Sequence, residues 1–298
     1  MKGDPKLLFI YNPYSGQSQI EDELADIIEI FSDAGYQVTV CPTKRKGYAV
    51  DAVRCREDNY DLLVCCGGDG TMDEVVSGMM ISDRKIPIGY IPAGTTNDFA
   101  ASLKIPTEMK EAARIAVDGE KFSCDIGKMN DSYFVYAAAF GLFTEVSYET
   151  DQDAKYLLGH IAYILEGIRS IGDAKSYHMR VKYKDRIIED DFILGMVTNS
   201  VSVGGFREIT GKNVKLNDGV FEVTLIRQPN NPVELTNIVA SLLNKDIESD
   251  MLYRFDTDSL EFESSEEVKW TRDGEFGGAH SHVKIQNLHE AVDIIVPE

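Results

Sequence analysis

One stretch constrains the fold more than any other: Leu62-Leu63-Val64-Cys65-Cys66-Gly67-Gly68-Asp69-Gly70-Thr71-Met72-Asp73-Glu74. An apolar run with the look of a buried strand breaks into three glycines within four positions, and apolar residues then resume at helical spacing as Val75, Val76, Met79 and Met80. The pattern predicts strand, tight turn and helix. Thr71 and Glu74 have the spacing of a capping box, which predicts a helix starting there with its free N–H groups aimed at the turn, an arrangement that attracts anions. Glycines let backbone approach a ligand without Cβ clashes, and phosphate is the usual beneficiary. Asp69 does not suit a bare phosphate cradle, because a carboxylate beside phosphate oxygens is repulsive unless a cation stands between them. The stretch therefore points to Asp69, Mg²⁺ and nucleotide phosphate together. An ordinary β–α turn with a capping Thr is the bland alternative. No G-x-x-x-x-G-K-[ST] occurs, and Asp73 stands where a dinucleotide fingerprint needs Gly or Ala.

The same alternation runs through the first part of the chain. Lys6 to Tyr11 reads as a strand ended by the turn Asn12-Pro13-Tyr14-Ser15-Gly16, and Ser18 with Glu21 opens a helix whose apolar face continues to Phe31 before Gly35. A strand from Tyr36 to Val40, a loop through Thr43 and Gly47, and a helix to about Asp58 follow. Beyond the glycine turn, Ile86 to Ile91 forms a fourth strand ending in Pro92-Ala93-Gly94-Thr95-Thr96-Asn97-Asp98-Phe99-Ala100. Alternating strands and helices predict a parallel sheet with right-handed crossovers, whose ligands gather beyond the strands' carboxyl ends. The three turn-rich loops should line that edge.

After a helix near Thr107 to Val117 the pattern changes. Cys124 to Met129 and Ser132 to Ala139 suggest a hairpin around Asn130-Asp131, and a long helical stretch carries Tyr156 to Ile168. Strands then dominate: His178–Tyr183, Ile187–Val197, Val220–Ile226, Met251–Phe255, Leu260–Glu263, Val268–Thr271, His282–Ile285 and Val292–Val296, interrupted by one helix near Val233 to Leu243. The fold class is therefore an α/β domain over 1–123 and a mainly antiparallel β-sandwich over 124–298. Asp218 in Asn217-Asp218-Gly219-Val220 is either an Asx-turn residue or a metal ligand. Asp273-Gly274 is a hairpin signal that on its own makes Glu275 merely the next strand residue.

Composition narrows the classes. A net charge of −20 argues against nucleic acid and disfavours adsorption to an anionic bilayer, although Lys44-Arg45-Lys46 is a local basic patch. No apolar stretch reaches membrane-span length and the N-terminus does not look like a signal peptide, so a cytoplasmic protein is expected. The five cysteines show no C-x-x-C spacing and read as buried thiols. His280 and His282 share one strand face without a metal pattern around them.

Taken together, the Asn12–Gly16 loop, Gly67-Gly68-Asp69-Gly70-Thr71, the Pro92–Ala100 loop, Asp218-Gly219 and Asp273-Gly274-Glu275 resemble, in order, the motifs of the soluble bacterial diacylglycerol kinases, lipid kinases related to sphingosine and ceramide kinases. G-G-D-G alone is also found in NAD kinases and phosphofructokinases. The resemblance implies an ATP site between the domains: Asn12, Pro13, Tyr14, Ser15 and Gly16 on phosphate, Thr43 near the nucleoside, and Gly68, Asp69, Gly70, Thr71, Met72, Asp73 and Glu74 with Thr95 around the triphosphate. It implies Mg²⁺ on Asp69, an acid-and-metal network through Asp98 and Asp125, Asp273 among the catalytic residues, and a second, structural Mg²⁺ on Asp218 with backbone carbonyls near Lys215 and Val220. Glu275 would be the general base. Asp73 departs from the family's Asn and adds negative charge. The implied partner is a lipid at the inner membrane surface, met peripherally; the sequence does not fix the oligomeric state, a homodimer being one option. The acidity of the chain fits poorly with an anionic membrane, so either Lys44-Arg45-Lys46 or a region through Lys155, Arg169 and Lys175 does the docking, or the substrate is not diacylglycerol. An NAD-kinase-like enzyme of a soluble substrate and a catalytically silent nucleotide sensor are the rival readings.

Overall fold

The computed structural model describes residues 4–15, 20–56, 59–142, 175–201, 203, 214–244 and 247–298. Ser18, Gly16 and the helical stretch from Tyr156 to Ile168 lie outside the described residues. The chain forms two compact units. The first comprises Met1–Ile126 with Glu290–Glu298, and the second comprises Gly127–His289. A single division at 123/124 does not express this arrangement, because the last residues of the chain return to the first unit.

The first unit is built as the alternation predicts. Its strands are β1 (Lys6–Tyr11), β2 (Gln37–Pro42), β3 (Leu62–Gly67) and β4 (Ile88–Pro92), and its helices are α1 (Ile20–Asp33), α2 (Tyr48–Arg54), α3 (Asp69–Met80), α4 (Asp98–Ser102) and α5 (Met109–Asp118). The order is β2-β1-β3-β4, every pair parallel, and Ile294 at the chain's end pairs with Ile88 as a fifth parallel strand. β3 and β4 are buried along their whole length, as central strands covered on both faces must be. The β1–α1–β2 crossover runs one way from β1 and β3–α3–β4 the other, so right-handed connections place α1 and α3 on opposite faces; α5 packs on α1, and α2 on α3.

The second unit is antiparallel. β5 (Glu120–Met129) crosses from the first unit into it and turns at Asn130 (φ 51°) into β6 (Ser132–Phe134). There follow β7 (Ala137–Gly141), β8 (Tyr177–Tyr183), β9 (Arg186–Thr198), β10 (Phe221–Arg227), α6 (Pro232–Leu243), β11 (Leu252–Thr257), β12 (Ser259–Arg272) and β13 (Glu275–Val296). The order β11-β10-β9-β7-β12-β13 is antiparallel throughout, and β9 and β12 each pair with β8 through their N-terminal halves and with β7 through their C-terminal halves. Trp270 centres the core, with Phe140 at 4.9 Å and Phe262 at 5.0 Å between ring centroids. A second cluster, including Ile193, Met196, Ile238 and Leu242, seats α6 on β9 and β10.

Three local expectations are corrected. Leu260–Glu263 and Val268–Thr271 are one strand, β12, and His282–Ile285 and Val292–Val296 are one strand, β13; a register shift between Glu263 and Val268 supplies the break that the sequence pattern suggested in β12, and in β13 Glu290 at φ 48° interrupts the alternation. Ser132–Ala139 is two strands, because the N–H groups of Val135, Tyr136 and Ala137 all turn to the Asp273 carboxylate. The thiols are not uniformly buried: Cys65, Cys66 and Cys124 are, Cys41 is half-buried and Cys55 is exposed. Burial pushes the Cys66 thiol up to about 12.

Candidate active site

The loops after β1, β3 and β4 meet at the carboxyl edge of the parallel sheet. Asn12 N–H donates to the Cys66 carbonyl at 2.9 Å, and Ala93 N–H to the Gly67 carbonyl at 2.8 Å, so both flanking loops leave the sheet tied to the end of β3. The Asn12 amide reaches Thr71 Oγ1 at 3.4 Å, and its Oδ1 accepts from Tyr14 N–H at 3.0 Å, an Asx turn that shapes the Asn12–Ser15 loop and leaves Tyr14 81 % exposed. Thr43 N–H donates to the Tyr11 carbonyl at 2.8 Å, which adds the loop after β2. The crossovers diverge at β1 and β3, and this topological switch point is where open α/β sheets leave a crevice for ligands.

Two glycines decide how close the loops come. A Cβ on Gly94 would lie 2.7 Å from Gly68 Cα and 2.8 Å from Asn97 Oδ1, so any side chain there would push the β3 and β4 loops apart. Asn97, missed by the sequence reading, holds the second loop: its side chain accepts from Gly94 N–H at 2.9 Å and donates to the Gly94 carbonyl at 2.7 Å, with φ 53°. The signal for it was Asn immediately before a short helix, since Asn tolerates the left-handed region better than most residues.

The capping box does not form. α3 starts at Asp69 with Gly68 as a cap that offers no side chain, and Thr71 N–H and Met72 N–H close the first turn on the Gly68 carbonyl at 3.0 and 3.1 Å. The helix still presents the positive end of its dipole at the glycine turn. Glu74 instead caps α2, accepting from Gly47 N–H at 2.6 Å and Ala49 N–H at 3.1 Å. Asp69 does the same for α4, with Asp98 N–H at 3.2 Å and Phe99 N–H at 3.4 Å. Both acids thus join loops, and the half-buried Asp69 also sits among the phosphate-type turns. Its charge helps burial raise the Tyr90 hydroxyl, which donates to the Gly67 carbonyl at 3.2 Å. Gly70, Met72 and Asp73 share α3's first turns, and Thr95 is exposed on the β4 loop.

The remaining acids divide. Asp98 is 2 % exposed and follows Asp69 across the loop contact. Asp125 is 0 % exposed and accepts from Glu290 N–H at 2.7 Å, securing a residue at φ 48° where β13 enters the first unit. Asp273, 4 % exposed, accepts from Val135, Tyr136 and Ala137 at 2.6, 2.9 and 2.9 Å. It sits with Gly274 in a turn at φ 48° and 78°, the two-residue hairpin that Asp-Gly predicts, and Glu275 opens β13 exposed to solvent. Asp218 forms the Asx turn, accepting from Val220 N–H at 3.3 Å ahead of Gly219 at φ 79°, with Lys215 exposed. The carboxylates at the sheet edge offer oxygen donors, which suit a hard divalent ion such as Mg²⁺ better than a soft one. Among the described residues, no helix is long and apolar enough to cross a membrane.

Comparison with known proteins matches these features over nearly the whole chain. Residues 6–129 match the family model described as the diacylglycerol kinase catalytic domain, and residues 137–296 the one described as the YegS C-terminal NAD kinase beta sandwich-like domain. The diacylglycerol kinase of Staphylococcus aureus (strain MRSA252) is 33 % identical over 291 residues, covering 97 % of this chain and 91 % of that one. The diacylglycerol kinase of Bacillus subtilis (strain 168) is 31 % identical over 293 residues, covering 97 % and 95 %. A crystal structure from Bacillus anthracis str. Sterne, of a protein provisionally assigned as a diacylglycerol kinase, has a TM-score of 0.83 at 27 % identity and covers 99 % of this chain and 96 % of that one. The chain belongs to the diacylglycerol kinase family, with a diacylglycerol-kinase catalytic domain followed by the β-sandwich-like domain of its relatives.

Proposed function

We propose that the protein is an ATP-dependent lipid kinase that transfers the γ-phosphate of ATP to a lipid hydroxyl, with diacylglycerol as acceptor and phosphatidic acid as product. The first unit binds the nucleotide, and the second, folded as a β-sandwich, holds the lipid. The observation that carries this reading is the convergence of the Asn12, Gly68 and Gly94 loops at one switch point, with Asp69 hydrogen-bonded across two of them.

In this reading Asn12 to Gly16, Gly68 to Glu74 and Thr95 wrap the triphosphate, and Thr43 approaches the nucleoside. Asp69 would hold Mg²⁺, with Asp98 and Asp125 in the acid network and Asp273 among the catalytic residues, and Asp218 with the carbonyls of Lys215 and Val220 would hold a structural ion. Bound Mg²⁺ neutralises phosphate charge. Glu275 takes the proton as the acceptor oxygen bonds to the γ-phosphorus and the bond to the β–γ bridging oxygen breaks, leaving ADP. Positioning and charge neutralisation dominate such a reaction, which is why backbone loops outnumber reactive side chains here. The enzyme works in the cytoplasm, in peripheral contact with the membrane, as a monomer or homodimer.

The second family match, whose description includes NAD kinase, favours one other reading: phosphorylation of a soluble nucleotide. Labelled phosphate transfer from ATP to a panel of micellar lipids and to NAD separates the two. Lipid labelling that Asp69→Ala abolishes is the expected result; labelling of NAD alone overturns the lipid acceptor, and no transfer to either overturns the enzyme.

A further inference from the structure

The glycines that let the β3 and β4 loops close up leave one peptide loosely determined. A Cβ on Gly67 would lie 2.6 Å from Thr71 Cβ and Oγ1, and one on Gly68 3.2 Å from Gly94 Cα, so close packing leaves little room for a side chain at either position. A peptide between two glycines meets little steric resistance to turning over as a unit, and turning it over would exchange the directions of the Gly67 carbonyl and the Gly68 N–H.

Two donors hold that carbonyl. Ala93 N–H reaches it at 2.8 Å from just beyond β4, and the Tyr90 hydroxyl reaches it at 3.2 Å from within β4. Tyr90 stands in register with Cys65, two residues before Gly67, so its side chain leaves the sheet on the face where a Gly67 Cβ would meet Thr71 of α3. It is the one residue of β4 with a polar side-chain atom, and it is 1 % exposed. Its ring centroid lies 6.4 Å from that of Phe99, whose N–H donates to Asp69. A phenylalanine would fill the same space. The oxygen is tolerated in a buried strand because it has an acceptor, and that acceptor belongs to the glycine turn. Burial pushes the hydroxyl well above its usual range, with the charges of Asp69, Cys65 and Cys66 adding to it, so it remains a neutral donor.

Peptide planarity turns this hold into an aim. The carbonyl and N–H of one peptide unit point in opposite directions. β3 lies between β1 and β4, and the Gly67 carbonyl is bound on the β4 side, so the Gly68 N–H points to the β1 side. There Asn12 N–H meets the Cys66 carbonyl and the Asn12–Ser15 loop begins, at the switch-point crevice where α3 starts.

Resting on the lipid-kinase reading, we propose that Tyr90 is a positioning residue of the nucleotide site: its hydroxyl holds the Gly67–Gly68 peptide so that the Gly68 N–H stays turned to the crevice as a donor to a phosphate oxygen of ATP. The hydroxyl acts through the peptide and touches no reacting atom. Its effect falls on nucleotide binding, because the same N–H serves ground state and transition state alike. The test is Tyr90→Phe, which removes one oxygen and keeps the ring in its packing. Binding of ATP with Mg²⁺ by the full chain, measured directly without an acceptor, should weaken about fivefold, the worth of one hydrogen bond. KM for ATP should rise by a similar factor, while kcat and KM for diacylglycerol in neutral micelles stay within about twofold of wild type. Unchanged ATP binding, a fall in kcat at constant KM for ATP, or equal rises in KM for ATP and for the lipid would overturn the proposal, the last by making Tyr90 a general support of the fold. The two readings fail separately. Hydroxyl-dependent ATP binding in a wild type that transfers no phosphate to lipid sinks the lipid-kinase reading alone, and lipid phosphorylation with ATP binding indifferent to the hydroxyl sinks the Tyr90 role alone.

Discussion

Two glycine-flanked aspartates in the two units look alike in sequence and do different work. Asp69 stands at the head of α3, half-buried, with two long N–H contacts to α4 at 3.2 and 3.4 Å. Asp273 stands in a tight hairpin turn, buried, with three short ones to β6–β7 backbone. A carboxylate saturated by backbone donors in a dry environment is a clamp, because removing it strands several buried N–H groups. One placed at a helix start on a crevice is, in the function proposed above, the acid that serves a ligand and its cation. The difference teaches that an Asp-Gly pair marks a turn, and that the surrounding donors decide how far the acid is also structural.

That contrast can be broken experimentally. The largest effect expected is Asp69→Ala, lowering turnover on the order of a thousandfold while costing about 1 kcal/mol in urea unfolding, the value of two long hydrogen bonds. A large stability loss with retained turnover would make Asp69 another clamp. Asp273→Ala should cost about 3 kcal/mol of unfolding free energy, since three buried N–H groups lose their acceptor; a variant as stable as wild type would refute the clamp. Glu275→Ala, two residues away and exposed, should leave the unfolding curve in place and lower turnover at least about a hundredfold with KM for ATP unchanged. Unchanged turnover removes Glu275 from the mechanism. Glu74→Ala should cost about 1 kcal/mol through the lost cap of α2. If KM for ATP rises while stability holds, Glu74 belongs to the nucleotide and not to the helix.

Much of this architecture could be read from local pattern. Buried runs such as Leu62–Gly67 and the apolar face of Ile20 to Phe31 identify their elements because a central strand and an amphipathic helix each have one way of hiding apolar surface. The Asp-Gly hairpin at 273–274 was legible for a similar reason, since few residue pairs accept two positive φ values. What misled was local sufficiency. Thr71 and Glu74 have the spacing of a capping box, but Glu74 found better donors on α2, 25 and 27 residues away in sequence. Likewise, the register shift between Glu263 and Val268 in β12 imitates a strand end, because a shift and a termination disturb alternation in the same way.

By itself the sequence determined which segments are strands and helices, which turns need glycine, and the order of motifs that marks the family, all consequences of side-chain periodicity and backbone sterics over a few residues. Only the tertiary structure decided that Gly68 and Gly94 touch, that Asp69 and Glu74 each hold the start of another helix, that Asp273 is enclosed by backbone donors, and that the Tyr90 hydroxyl meets the Gly67 carbonyl. These depend on strand order and on which distant N–H groups lack an acceptor nearer by, and neither is written in any single stretch of the chain.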